Sequence, residues 1–215
     1  GENRRGLYFG EVTFNTVTGE CTKIVPTHTE DSTYTSLTPD PIISELLEKY
    51  AEEVNMGERV IGYNARQRYS AELQQLVADL YYDIGMEAWG DQYDIVLGGG
   101  FISARSPYNL ASGEVNYGMV QSIFPFDNQL HLCSIKGKDL KEKFFETDND
   151  RYYIAYGDYG KKVRSQIDPD ATYYIVVDSY TSIYGPNHLT EVARLEDKIY
   201  ARDLLAEYAQ EGGFN

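Results

Sequence analysis

The chain has 215 residues, enough for one ordinary domain with an appendage or for one large domain. Its 34 acidic and 19 basic residues leave a net charge of −15, which argues against a nucleic-acid polymer as partner, because such proteins need basic surface to neutralise phosphates. A local pocket for one small anion stays open, and 42% hydrophobic with 13% aromatic residues, 20 of them Tyr, exclude a disordered chain.

The Gly-led polar opening "GENRRG" reads as the edge of a piece excised from something longer. "GLYFGEVTFNTVTGECTKIVPT" alternates apolar and polar residues around "NTVTGE" and predicts a hairpin. Thr29 to Pro41, rich in Thr, Ser, Asp and Pro, reads as a linker. Ile42, Ile43, Leu46, Leu47 and Tyr50 then fall at helical spacing, in a helix that stops at Gly57. "RVIGYNARQRYS" is strand then loop. Leu73, Leu76, Val77, Leu80 and Tyr81 line one face of a further helix, ending near Gly85 or Gly90.

"YDIVLGGG" is a short apolar strand that delivers three glycines. "EVNYGMVQSIFPF" predicts a short helix, "NQLHLCSIKG" a strand, and "KGKDLKEKFFE" a helix entered through Gly137 to Asp139. "YYIAYGDY" and "TYYIVVDSY" read as strands, and "RLEDKIYARDLLAEYAQEGG" as a closing helix. Helices alternate with strands, yet several strands follow one another through short turns. The expected fold is therefore α/β (α+β), a mixed β-sheet layered with helices rather than a purely parallel one. No repeat of fixed period is present, and no apolar run approaches the ~18 residues of a membrane span.

Simple enzyme chemistry finds no support in the inventory. His28, His131 and His188 stand in none of the spacings that zinc or two-metal hydrolytic sites use, so each is read as structural or solvated. No Gly-x-Ser-x-Gly elbow occurs. The pairs Asp148/Asp150 and Glu52/Glu53 read as solvated surface. Cys21 and Cys133 do not make a disulfide framework; two separate thiols are expected, with a pairing between them left open.

The three glycines pose a choice among a phosphate cradle, a tight turn and a recognition loop. Gly98, Gly99 and Gly100 are followed by Phe101, Ile102 and Ser103, with no lysine, so this is not a P-loop; nor does a Gly-x-Gly-x-x-Gly fingerprint open a helix here.

The order of several segments carries a resemblance. "ELQQLVADLYYD", "DIVLGGGFIS", "SGEVNYGMVQSIFPFDNQL", "SIKGKDLKEKF" and "DPDATYYIVVDSYTSIYG" together resemble the C-terminal domain of the 5′-nucleotidase family. That family includes UDP-sugar hydrolases and 2′,3′-cyclic-nucleotide phosphodiesterases, and the likeness spans roughly Tyr63 to Gly185. "GLYFGEVTFNTVTGECTKI" resembles the last strands of the family's preceding metallophosphatase domain. The resemblance implies that residues 1–60 are the end of that domain plus an interdomain hairpin, linker and helix, and that 61–215 are the C-terminal-like domain. The family's His and Asp metal motifs are missing, so divalent metals belong to the domain upstream, and no catalytic or metal-binding residue and no cofactor is expected in this chain.

The resemblance also assigns a site. The C-terminal domain recognises the base and ribose of a nucleoside or nucleotide and closes over the metal site by rotation. Phe126 in "PFDN", with Asn128 beside it, matches the loop that supplies one stacking ring; Tyr180 in "DSYTS" matches the second, with Tyr184 a nearby substitute. Gly98, Gly99 and Gly100 match the loop where backbone approaches ligand.

Departures accompany these matches. Leu97 and Phe101-Ile102 stand where the family has Asn and Ile-Arg, Gln74-Gln75 replace Gly-Asn, and Tyr184, Gly185 and Pro186 replace Gly-Gly-Asp. Leu and Ile cannot make the hydrogen bonds of Asn and Arg. Arg105, or Arg66 and Arg68 in the loop before the helix, are the candidates to meet phosphate, with exposed surface arginines as the plain alternative. Two readings follow: a substrate-recognition domain of an exported, bacterial, secreted or surface-anchored nucleotide hydrolase, inactive by itself, or a degenerate interaction module of a cell-surface protein that keeps only the fold.

Overall fold

The computed structural model of the chain describes residues 7–29, 38–102, 104, 109–145, 153–155, 165–185, 188–195 and 200–215. The polypeptide divides into two compact units, Gly1–Ala51 and Glu52–Asn215.

In the first unit, strands β1 (Leu7–Phe14) and β2 (Cys21–Thr29) form the expected antiparallel hairpin, Leu7 opposite Thr29. The turn closes because Asn15 Oδ1 accepts from the Val17 and Thr18 amides, the local bonding that favours Asn in turns. Helix α1 (Pro41–Lys49) starts where Asp40 accepts from the Ile42 and Ile43 amides, with Pro at the first helical position. It buries none of its residues: Ile42, Ile43, Leu46 and Leu47 are all exposed. The single helix expected here is two, since α2 (Ala51–Glu58), all but its first residue in the second unit, follows Tyr50 as a separate segment.

In the second unit, β3 (Val60–Asn64) pairs antiparallel with β5 (Gly113–Asn116). The long helix α3 (Ser70–Trp89) opens with the Glu72 carboxylate accepting from the Tyr69 amide at 2.8 Å, half of a capping box. It runs straight through Gly85 and is capped at Gly90. Gly85 is there because α3 crosses the sheet closely: a Cβ would strike the Val176 side chain.

The sheet has five strands in the order β7-β4-β8-β6-β9, namely β7 (Tyr153–Ala155), β4 (Ile95–Gly100), β8 (Thr172–Asp178), β6 (Leu130–Lys136) and β9 (Thr190–Arg194). Among the described residues β4 and β8 pair parallel and the other neighbours antiparallel, so the sheet is mixed, as expected. Strand periodicity sorts the side chains onto two faces. Leu132 and Val176 join the core formed with Leu73, Val77 and Tyr81 of α3 and Leu204 and Leu205 of α7 (Ala201–Gln210). Cys133, Ile175 and Val177 join Leu97, Leu140 and Phe144 on the other face.

The "KGKDL" entry proves to be a packing signature. Gly137 opens the short helix α5 (Gly137–Leu140), which passes into a π-helical turn, Lys141–Phe145. The Gly137 amide donates to the Ala171 carbonyl at 2.9 Å, and a Cβ there would collide with the Asp168 carbonyl oxygen. Three elements were not read from the sequence: β5, whose residues fell inside the expected "EVNYGMVQSIFPF" helix, β9, and the helix α6 (Ser179–Tyr184) directly after β8. The short helix α4 (Tyr117–Ile123) lies where expected, with Asn116 accepting from the Met119 amide.

Candidate functional site

Topology gathers the site. β4 and β8 run parallel with Gly99 beside Val177, so their carboxyl ends emerge together. Antiparallel β6 begins at Leu130 opposite Asp178. The segments after Gly100, before Leu130 and after Asp178 therefore leave the sheet at one edge, the place where open α/β sheets commonly bind ligands.

Asp178 organises that edge. It is 2% exposed, ends β8, and accepts the Thr181 amide at 2.6 Å as the N-cap of α6. Burial raises its carboxyl pKa from 3.8 to about 6, with the Thr181 hydrogen bonds pulling the other way. Burial, and next the Asp178 charge, push the hydroxyl of buried Tyr81 on α3 upward as well.

This acid makes stability depend on pH with a definite sign. The folded chain keeps the Asp178 proton to about pH 6, whereas the unfolded chain releases it near 3.8. Its contribution is complete below about pH 4 and is lost as pH rises to 6, an effect of about 3 kcal/mol. Asp178→Asn, which caps helices as well but stays neutral, is expected to remove that fall and to be the more stable variant at pH 7. Urea unfolding at pH 4, 5, 6 and 7 checks this; parallel curves for the two proteins would contradict it.

The glycines face protein. All of β4 is buried. A Cβ at Gly98 would strike the Tyr82 backbone on α3; at Gly99 (φ +134°), the Tyr153 carbonyl on β7; and at Gly100 (φ +136°), the Thr181 side chain on α6. Each glycine lets a different neighbour approach, and the last two also hold a backbone conformation that side chains rarely adopt. Gly100 brings Thr181 close enough for its Oγ1 to accept the Phe101 amide at 2.7 Å. Gly100 thus sets the distance between β4 and α6, as Gly98 does to α3 and Gly99 to β7.

On this frame stand three rings. Phe101 and Tyr180 lie 5.6 Å apart between centroids at 31°, and Tyr180 and Tyr184, one helical turn apart, 5.1 Å apart at 45°. Tyr180 is 45% exposed and Tyr184 72%. Phe126 is exposed on the neighbouring loop, with Asn128 half-buried. That loop is tied to α6 by a reciprocal pair: Ser179 N donates to Gln129 O at 2.7 Å and Gln129 N to Ser179 Oγ at 3.1 Å.

The other expected residues divide between contacts within the fold and positions outside the described residues. Arg68 is engaged within the fold: its Nε donates to Asn64 Oδ1 at 3.1 Å, its Nη2 to the Phe214 carbonyl at 3.3 Å, and it covers the Phe214 ring. Arg66 pairs with Glu72 at 2.6 Å. Arg105 and Pro186 lie outside the described residues, as do Asp148 and Asp150. Leu97 and Ile102 are core residues, 0% and 4% exposed. Gln74 accepts the Ala104 amide at 2.9 Å, and Gln75 donates to the Ile154 carbonyl at 2.9 Å, so this pair ties α3 to the segment after β4 and to β7.

His131 is 3% exposed, with Nδ1 3.3 Å from Glu191 Oε2 and neither ring nitrogen hydrogen-bonded; burial lowers its pKa, against the pull of the Glu191 charge. His188 stands 3.7 Å from Asp139, and the His28 side chain lies outside the described residues. Cys21 and Cys133 are free thiols. Among the described residues no group of three or more His, Cys, Asp and Glu is arranged to hold a metal, and no helix is long and apolar enough to cross a membrane.

Sequence reasoning missed Phe101, Thr181 and Arg202. "DSYT" is itself an N-cap pattern that could have revealed α6; Phe101 directly after the glycines was legible only as a departure.

Residues 51–158 match the model of the 5′-nucleotidase, C-terminal domain family. The chain belongs to that family. The match includes the glycine strand, Phe126 and the "KGKDL" entry, and ends before Tyr180. Solved structures that resemble this 5′-nucleotidase C-terminal domain chain include two 5′-nucleotidases. The 5′-nucleotidase precursor from Thermus thermophilus has a TM-score of 0.59 and 16% identity, over 96% of this chain and 47% of its own. A putative 5′-nucleotidase from Staphylococcus aureus, in complex with alpha-ketoglutarate, has a TM-score of 0.54 and 12% identity, over 94% and 47%. The chain spans about half the length of each, and at such identities the likeness is one of fold. No curated protein matches the sequence.

Proposed function

We propose that this chain is the substrate-recognition part of an exported 5′-nucleotidase-type metallophosphoesterase, binding the base of a nucleoside or nucleotide. The observation that carries the reading is the exposed Tyr180 ring, set against Phe101 and Tyr184 beside the Phe126 loop at the carboxyl end of β4 and β8. An exposed aromatic platform suits a base, whose π-face stacks at about 1–3 kcal/mol per ring with little demand on base identity. Divalent metals and the hydrolytic step belong to a metallophosphatase domain preceding this chain. That domain is also the natural cover for the apolar face of α1, where Ile43, Leu46 and Leu47 are exposed. The chain by itself is expected to show no phosphatase turnover with Mn²⁺, Mg²⁺ or Zn²⁺.

Calorimetric titration with adenosine, uridine, their 5′-monophosphates and UDP-glucose tests the reading. Tyr180→Ala is expected to weaken binding about tenfold, in line with the loss of one stacking partner. A folded chain that binds none of these compounds would sink the proposal. It would instead favour the second reading, a degenerate interaction module, for which the core positions of Leu97 and Ile102 speak: neither presents a polar group to a ligand. Fractionation of cells making the parent protein tests export; a cytosolic pool alone would contradict it.

A further inference from the structure

The loop that carries Phe126 has a second anchor, far away in sequence. Arg202, the second residue of α7, has a side chain only 13% exposed. Its Nη1 stands 2.5 Å from Asp127 Oδ1 and donates to the Phe126 carbonyl at 3.4 Å. The guanidinium lies over the Tyr200 ring, 4.5 Å from the centroid, and Nε stands 3.9 Å from Asp203 Oδ1. Asp203 is in turn held by the Tyr117 hydroxyl at 2.8 Å.

The asymmetry of this contact gives it meaning. Asp127 is 67% exposed, and an exposed ion pair alone holds little. Arg202 is the reverse: it is shielded, stacked and flanked by a second carboxylate, so its planar fork is oriented by α7, Tyr200 and Asp203 independently of the loop. Its Nη1 then meets both the side chain of Asp127 and the backbone carbonyl of Phe126. Together with the Gln129–Ser179 pair at the other end, it fixes the segment from which the Phe126 ring projects.

We propose that Arg202 is a positioning residue for substrate recognition, a clamp on α7 that fixes the Phe126 ring at the site. The proposal rests on the reading of Phe126 as a base-stacking ring and adds the group that presents it. A rigid element thus orders a loop before ligand arrives, which removes part of the ordering cost of binding.

The test uses the 215-residue chain with Arg202→Gln, Arg202→Lys, Asp127→Asn and Phe126→Ala, with adenosine as the probe. Amide hydrogen exchange at Asp127, Asn128 and Gln129, measured without ligand, is expected to quicken about tenfold in Arg202→Gln while the melting temperature falls by only about 2–4 °C. The adenosine Kd is expected to rise about fivefold in Arg202→Gln, less than in Phe126→Ala, with Asp127→Asn and Arg202→Lys intermediate. Unchanged exchange at these amides in the folded Arg202→Gln protein overturns the clamp, whatever binds. Faster exchange with an unchanged adenosine Kd shows a structural tie only and overturns the positioning role. Exchange that quickens in a chain whose wild type binds no nucleoside overturns the recognition reading and the positioning role with it, while leaving the cause identifiable.

Discussion

Gly99→Ala is expected to destabilise the second unit by about 4 kcal/mol, lowering the melting temperature by about 8–16 °C. Two costs combine. At φ +134° the residue sits where an L side chain is strained by about 1–3 kcal/mol, and its Cβ would run into the Tyr153 carbonyl of the edge strand β7. That oxygen belongs to backbone held in the ladder pairing Gly99 with Ile154 and Gly100 with Tyr153, so it cannot swing aside like the end of a flexible side chain. Relief requires β7 to shift or detach. Thermal and urea unfolding of the purified variant measure the effect; a loss below about 1 kcal/mol would mean that β7 does not constrain β4 as described. The result also bears on function. If the glycines serve packing, Gly99→Ala weakens nucleoside binding only as far as it loosens β4 and α6, and the protein that remains folded should bind nearly as well as wild type.

Phe214→Ala is expected to cost about 4 kcal/mol, the range for deleting a buried phenyl ring. The side chain is only 1% exposed. Its ring meets Tyr208 edge-on at 5.1 Å and lies under Arg68, while its carbonyl accepts from the Ala65 amide at 3.1 Å and from Arg68. Arg68 is bonded in turn to buried Asn64, which donates to the Leu110 and Ala111 carbonyls at 3.1 and 2.7 Å. Phe214 is thus a structural keystone for the segment before α3. Chemical denaturation of Phe214→Ala should show a lower midpoint at an unchanged slope. Stability equal to wild type would show that the segment after α7 frays.

The same contacts explain why Arg68, attractive as an anion-binding residue from its place in the loop, is committed to the fold. Nothing local in "NARQRYS" announces a partner 146 residues away.

Much of the architecture was legible in the sequence because periodicity records burial. The apolar runs around Leu132 and Ile175 marked the strands, and the spacing of Leu73, Val77 and Tyr81 wrote the buried stripe of α3; which face each strand residue joins, both being buried, was left to packing. Ordered short segments were specific enough to point to the family that the match over residues 51–158 shows. Gly85 and Gly90 are both candidate ends of α3 in the sequence, since Gly commonly stops helices; Gly90 is the cap, whereas close packing on Val176 explains Gly85. The segment after Asp178 was read as the end of a strand, because aromatic and β-branched residues continue into it while the cap that turns it into α6 depends on one buried carboxylate.

The sequence by itself determined the class of fold, the family, most of the strands and helices, and the buried stripe of α3. Tertiary structure alone decided which atoms stand where the three glycines lack a Cβ, that Phe101 joins Tyr180, and that Arg202 meets the Phe126 loop. The physical reason is range. Periodicity and capping are written within a few residues, but a missing Cβ is explained only by the atom that takes its place, and a guanidinium only by the carboxylate it meets. At Gly98, Gly99 and Gly100 those atoms come from α3, β7 and α6, three elements that chain order separates and the sheet brings together.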